Sequence, residues 1–207
     1  MHLIETDLKK LEDRYRANFI NSIHGFKCLT LIGTIDKNKK TNLAVFNSIF
    51  HLGANPALVG FVVRPDSVVR HTLDNIIETG FYTLNNVKES YYKQAHQTSA
   101  RYAKEISEFS ATGLHEEFSK NIIAPYVLES SIKIGLEKIE VMKISYNNTL
   151  IVVGRVIEIF APDDCISNDG FIDIEKAGSI TVTGLDSYHS TQRLSRLSYA
   201  KIDKTLN

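Results

Sequence analysis

Three short stretches carry residue types that could recognise a ligand. Thr41-Asn42-Leu43-Ala44-Val45-Phe46-Asn47-Ser48 opens a strand pattern with small and amide side chains. Such side chains let a backbone lie against a flat ring and exchange hydrogen bonds with its polar edge. Arg64 ends the next strand pattern, and Arg70-His71-Thr72 falls in the helical pattern after it. Arg, His and Thr are phosphate donors, and a helix N-terminus nearby adds backbone N–H groups. Taken as composition alone, the same residues read as a polar strand edge and solvated helix positions, so both readings stand at this point.

Other chemistries find less support. The chain has no Gly-x-Gly-x-x-Gly turn, Walker A loop, Gly-x-Ser-x-Gly elbow or His-Glu-x-x-His helix, so a dinucleotide is not expected on a Rossmann glycine turn. Ser90-Tyr91-Tyr92-Lys93 matches Ser-x-x-Lys without its companion motifs and reads as coincidence. The histidines at 2, 24, 51, 71, 96, 115 and 189 never pair at helical metal-ligand spacing, and His115-Glu116-Glu117 reads as a solvated helix face; no metal site is expected. Cys28 and Cys165 form no CxxC; two reduced thiols are expected, with Cys28 packed in a core strand.

The elements that must position these residues follow from periodicity. Ile4, Leu8, Leu11 and Tyr15 predict an amphipathic helix near the N-terminus. Residues 27–36 and 42–50 predict a hairpin around Asp36–Lys40, and 57–64 a third strand. Val68, Val69, Thr72, Leu73, Ile76 and Ile77 recur at helical spacing, with Asp66 or Ser67 as cap and Gly80 as stop. Residues 81–84 predict a fourth strand, followed by helical pieces at 89–95, 102–109 and 114–119. Residues 132–145 and 149–160 predict a long hairpin, its second arm apolar on both faces, as suits a strand with core on one side and a partner subunit or helix on the other. Residues 180–183 predict a last strand before a Ser-, Tyr- and Arg-rich tail. Strands in series with one embedded helix indicate a β-barrel with helical additions, not a parallel sheet. A single domain over 1–207 is expected: a helix at 1–18, a barrel core at 20–162 with a helical insertion at 87–121, and a C-terminal strand and tail at 163–207.

Apolar residues make up 43% and charged residues 23%, the balance of a chain that builds a core. The formal net charge is zero, so no overall cationic field gathers nucleic acid or anionic lipid. The start, MHLIETDLKKLEDRYR, lacks the apolar stretch of a signal peptide, and no run is long enough for a membrane span; a cytoplasmic location is expected.

The run from Gly33 to Asn85 resembles the N-terminal half of the flavin reductase-like, FMN-binding split β-barrel family, which includes flavoredoxin. The matching residues are Asn42 and Ala44, Pro56, Thr72, Asn75-Ile76 with Thr79-Gly80, and Phe81 with Asn85. Further similarity lies in Thr98-Ser99, Ser107-Glu108-Phe109, Gly113-Leu114, Ala124-Pro125, Glu129-Ser130, Gly184-Leu185 and Tyr188. The resemblance implies non-covalent FMN near a homodimer interface, and hydride transfer from NAD(P)H to flavin. It places Asn42 and Ala44 by the isoalloxazine, Asn47 and Ser48 by the ribityl or phosphate portion, and Arg64, His71 and Thr72 on the phosphate. Where many relatives carry Ser three residues after the Ala, this chain has Asn47. No catalytic acid or base is implied, since the flavin carries the chemistry. His189 is a candidate for contact with substrate or nicotinamide at the mouth. Two other readings are a non-catalytic FMN electron carrier of the flavoredoxin kind, served by a redox protein partner, and a flavin-free barrel.

Overall fold

The computed structural model describes residues 1–65 and 70–202. Two short helices, α1 (Glu5–Lys10) and α2 (Asp13–Ser22), precede strands β1 (Lys27–Cys28), β2 (Thr30–Ile35), β3 (Thr41–Phe46), β4 (Ile49–Ala54) and β5 (Ala57–Val63). Helix α3 (His71–Thr79) and β6 (Phe81–Asn86) come next. They are followed by α4 (Tyr92–Gln97), α5 (Glu108–Thr112), β7 (Glu116–Glu117) and β8 (Tyr126–Val127). The chain then forms the long hairpin β9 (Lys133–Ile144) and β10 (Thr149–Phe160), and ends on β11 (Thr181–Thr183) and β12 (Ser187–His189).

Seven of these strands make one antiparallel sheet in the order β3-β2-β6-β9-β10-β5-β4. Its two edge strands, β3 and β4, are consecutive in the chain and joined only by Asn47-Ser48. A link that short spans roughly 10 Å, so the two edges of the sheet must meet. The sheet therefore curls into a barrel, and the Val62 N–H of β5 carries the β4–β5 ladder one residue into the joint, onto the Ser48 carbonyl at 3.0 Å.

The pleat divides most of the buried apolar residues between two cores, with smaller clusters around Tyr126 and Cys165. Ile32, Phe61, Tyr82, Leu84, Leu136 and Val152 fill the barrel, and Leu73 and Ile76 of α3 pack into the same cluster. Phe61 meets Phe46 and Tyr82 edge-on at 5.3 and 5.5 Å, pairs worth about 0.5–1.5 kcal/mol each beyond their burial. Leu31 and Leu43, on the alternate face, join Val87, Phe109, Leu114 and Val182 in a second cluster outside the barrel. β2 is buried along its whole length, which is why its sequence lacks polar alternation. At Gly33 an added Cβ would lie 2.1 Å from the Pro125 carbonyl oxygen; only glycine lets the 124–127 segment lie that close to β2.

Several expectations are revised. The N-terminal helix is broken at Leu11, whose backbone is extended, because the Glu12 carboxylate accepts from the Arg14 and Tyr15 N–H groups and starts a second helix. The 42–50 run is two strands, parted at the barrel joint. Residues 102–107 are not helical, and residues 116–117 form a strand, paired with β8; His115-Glu116-Glu117 is thus no helix face. The tail holds the additional strand β12, which pairs with β11 in a small sheet with β1. Cys28 is exposed and Cys165 is the buried thiol: the chain breaks between β1 and β2, and Leu29 takes the inward position instead. Asp66 and Ser67, the expected caps of α3, and Val68 and Val69 lie outside the described residues. Gly80 does end α3, at φ +80°, a conformation glycine adopts without a Cβ clash.

Candidate functional site

A cleft of about 950 Å³ opens where the barrel joint, the start of α3 and the segment from Thr98 to Glu108 converge. Its lining includes all seven residues first singled out for a cofactor: Asn42, Ala44, Asn47, Ser48, Arg64, His71 and Thr72. Tertiary structure thus brings together three stretches that the sequence holds up to 30 residues apart.

Each side chain has a local reason for its posture. The Asn42 amide donates to Thr72 Oγ1 at 3.0 Å, both residues being buried. Because that oxygen accepts from Asn42, the Thr72 hydroxyl keeps its own proton to donate. The Asn47 amide donates to the Gly184 carbonyl at 2.8 Å, and the Ser48 hydroxyl donates to Asn47 Oδ1 at 3.2 Å. These two residues therefore fasten the barrel joint to the chain after β11. Arg64, exposed at the mouth, reaches Asn21 of α2 at 2.6 Å. Arg70 behaves differently: it precedes the first turn of α3, and its Nε is buried with no partner among the described residues.

The electrostatic balance of the cleft departs from that of the whole molecule. Arg64, Arg70, Arg101 and Lys104 line it, against the carboxylates Glu108 and Asp186, so a neutral protein concentrates positive charge here. Glu108 is buried, and burial pushes its carboxyl up from the ordinary range; a hydrogen bond from Leu43 and the nearby His71 pull the other way. Tyr188, also in the lining, is pushed up by burial and then by Asp186, while its hydroxyl meets His96 Nδ1 at 2.5 Å. His189 lies outside the lining of this cleft; its ring sits edge-on against Phe26 with centroids 4.9 Å apart. Among the described residues no group of three His, Cys, Asp or Glu side chains is placed to hold a metal ion, and no helix is long and apolar enough to cross a membrane.

Residues 27–171 match the model of the flavin reductase like domain. The chain belongs to the flavin reductase-like family. A crystal structure from Shewanella frigidimarina NCIMB 400, assigned as a flavin reductase with a split barrel domain, is 45% identical to this family member and superposes with a TM-score of 0.93 over 97% of this chain and 100% of that one. The flavoredoxin of Desulfovibrio vulgaris (Miyazaki F) shares the fold at a TM-score of 0.71 and 21% identity, over 86% of this chain and 91% of that one. An uncharacterised protein of Aquifex aeolicus (strain VF5) is 27% identical over 103 residues, 49% of this chain, which spans about half (53%) of that relative's length. The fold is thus the split barrel that the resemblance implied, in line with the barrel with helical additions read from strand order.

The sequence does not single out every lining residue. Arg70 stands beside His71 and Thr72 in the chain, and nothing in the sequence marks its side chain as the one short of a partner. Glu108, Arg101, Lys104 and Asp186 enter the cleft from segments far from Asn42. Glu108 had one signal, the resemblance of Ser107-Glu108-Phe109 to the family, without a role attached.

Proposed function

We propose that the chain is an FMN-binding oxidoreductase of the flavin reductase kind, passing hydride from NAD(P)H to flavin and working as a homodimer. The observation that carries this reading is the buried Nε of Arg70 at the start of α3, unpartnered among the described residues. A buried cationic donor without a partner is costly, and a phosphate group beside it removes that cost. The first-turn N–H groups of α3 point the same way. His71 and the free proton of Thr72 complete a donor set for one phosphate, with Arg64 at its solvent side.

The ring end fits the β3 edge. Ala44 is small, and the backbone beside it belongs to an edge strand with groups turned away from β2. Asn47 and Ser48, fixed by their own hydrogen bonds, lie where the ribityl chain would pass. Bound FMN supplies the hydride-accepting and hydride-donating chemistry; the chain holds the cofactor in place and shields it from water. Arg101 and Lys104 add positive charge that suits a second phosphate-bearing molecule, the nicotinamide nucleotide. We place the protein in the cytoplasm, where the free thiols Cys28 and Cys165 stay reduced.

The test is reconstitution of the purified protein with FMN, followed by anaerobic addition of NADH or NADPH. A yellow complex whose oxidised-flavin absorbance is bleached by one of these nucleotides is the expected result. Bleaching by dithionite alone would instead favour an electron carrier, and a protein that stays colourless would overturn the flavin reading.

A further inference from the structure

An edge strand leaves every second residue's N–H and C=O turned away from its neighbour. On β3 the Leu43 N–H is one of these, and it donates to Glu108 Oε2 at 2.9 Å. The pleat repeats every two residues, so the Val45 N–H points the same way. Leu43 is buried, whereas Val45 lines the cleft. Glu108 begins α5, is 6% exposed, lines the same cleft, and forms no ion pair among the described residues. Groups from two other elements act on its carboxylate. The Leu43 backbone comes from β3 and His71 from α3. The hydroxyls of Thr41 and Ser107 meet at 2.9 Å, the Glu116 carboxylate accepts from Thr41, and Lys104 stands in the cleft wall. A buried carboxylate with no cation bonded to it is expensive, yet its bond from the Leu43 N–H falls between Asn42 and Ala44, the two residues that the flavin reading sets beside the ring.

We infer that Glu108 is a positioning residue: it occupies the Leu43 donor and leaves the Val45 donor open, setting the register at which a flat, hydrogen-bonding ring meets the β3 edge. The inference rests on the flavin reading. A ring carbonyl can accept from Val45, but shifted by one pleat, roughly 7 Å, it meets a donor already taken and a carboxylate oxygen that repels it. The same carboxylate lies beside the polar edge of the ring, so its charge acts on the ease with which bound FMN takes up electrons.

Two substitutions separate this role from mere support of the fold. Glu108→Gln keeps an acceptor for the Leu43 N–H and removes the charge; Glu108→Ala removes both and leaves two donors open. FMN affinity is measured by fluorescence quenching, with the visible absorption band and the reduction potential of bound FMN, at pH 8.5. In Glu108→Ala, FMN binding is expected to weaken about tenfold, the value of one hydrogen bond to a charged group, with a displaced visible band. In Glu108→Gln, affinity returns to within about threefold of the parent, while the potential moves in the positive direction. Parental affinity and spectrum in Glu108→Ala would overturn the inference alone, as would a parental potential in Glu108→Gln, which decides the matter if the alanine variant fails to fold. Failure of the parent protein to take up FMN would overturn the flavin reading and the inference with it.

Discussion

Arg64 and Arg70 both line the cleft, but they stand in different balances. Arg64 is exposed and already bonded to Asn21, so solvent screens it and its loss is shared with water. Arg70 holds a buried Nε with no partner among the described residues, and a phosphate there gains a charge-assisted bond worth about 1.5–3 kcal/mol. Arg70→Ala should therefore weaken FMN binding on the order of 10- to 150-fold, and Arg64→Ala less than about fivefold, measured by fluorescence quenching of FMN. Equal losses would mean that the phosphate sits at the mouth instead. The seven residues that line the cleft together were legible because each lies in a short stretch with a local pattern: a strand opening for Asn42, Ala44, Asn47 and Ser48, a strand end for Arg64, and a helical period for His71 and Thr72. What sequence does not show is which donor is spent. Asn47 looks free on paper and is committed to Gly184, 137 residues away.

Among the elements, the sequence pattern located the hairpins β2–β3 and β9–β10 and helix α3, whose apolar periods are long, but not the breaks inside runs. The 42–50 run gives no sign of parting at Asn47-Ser48, because the break is imposed by barrel closure and not by local propensity. The same holds for β7, a two-residue strand that exists because β8 is beside it. Close approach between strands gives a test of the barrel interior. A Cβ at Gly154 would lie 2.1 Å from the Tyr82 hydroxyl and 2.8 Å from its Cζ, and that hydroxyl is itself buried without a partner among the described residues. Tyr82→Phe should be neutral or stabilise by about 1 kcal/mol, whereas Gly154→Ala should destabilise by about 1–3 kcal/mol. Combined, they should recover part of the loss, read from urea denaturation; strict additivity would show that the two positions do not meet. A second test concerns the 119–126 segment. Burial pushes the Glu158 carboxyl up, but bonds from Ser119, Tyr126 and Asn121 outweigh it and hold the group below its ordinary range. A lowered folded value means stability that is present above the unfolded carboxylate range and lost as pH falls through the folded one. Melting temperatures of the parent and of Glu158→Gln should thus differ at pH 7 and converge toward pH 3; a constant gap would exclude the carboxylate as the cause.

At the scale of the whole molecule, the neutral charge and the internal cores leave the outer face of the β9–β10 hairpin unexplained. β9 and β10 are central strands of the barrel sheet, with their inner face in the core, yet Ile139, Met142, Ile157 and Ile159 are exposed. The register of the pair slips at two places, and the residues skipped are Ile139 and Ile157. Each is thus the extra residue of a β-bulge, and a bulge re-aims a side chain at the cost of a ladder position. Two bulges that turn isoleucine outward, on strands already paired on both sides, are poorly explained by the stability of a lone barrel. Exposed apolar side chains of this kind mark association surfaces, and the proposed homodimer supplies the partner. Ile157→Asp should leave the circular dichroism and the melting of the barrel close to the parent's, because the residue belongs to no core cluster. It should weaken self-association by about 2 kcal/mol or more, roughly 30-fold, visible as a shift from dimer to monomer in sedimentation velocity at low micromolar concentration. A parent that sediments as a monomer at tens of micromolar would remove the homodimer from the proposal. A variant that remains as dimeric as the parent would move the interface off this face of the hairpin.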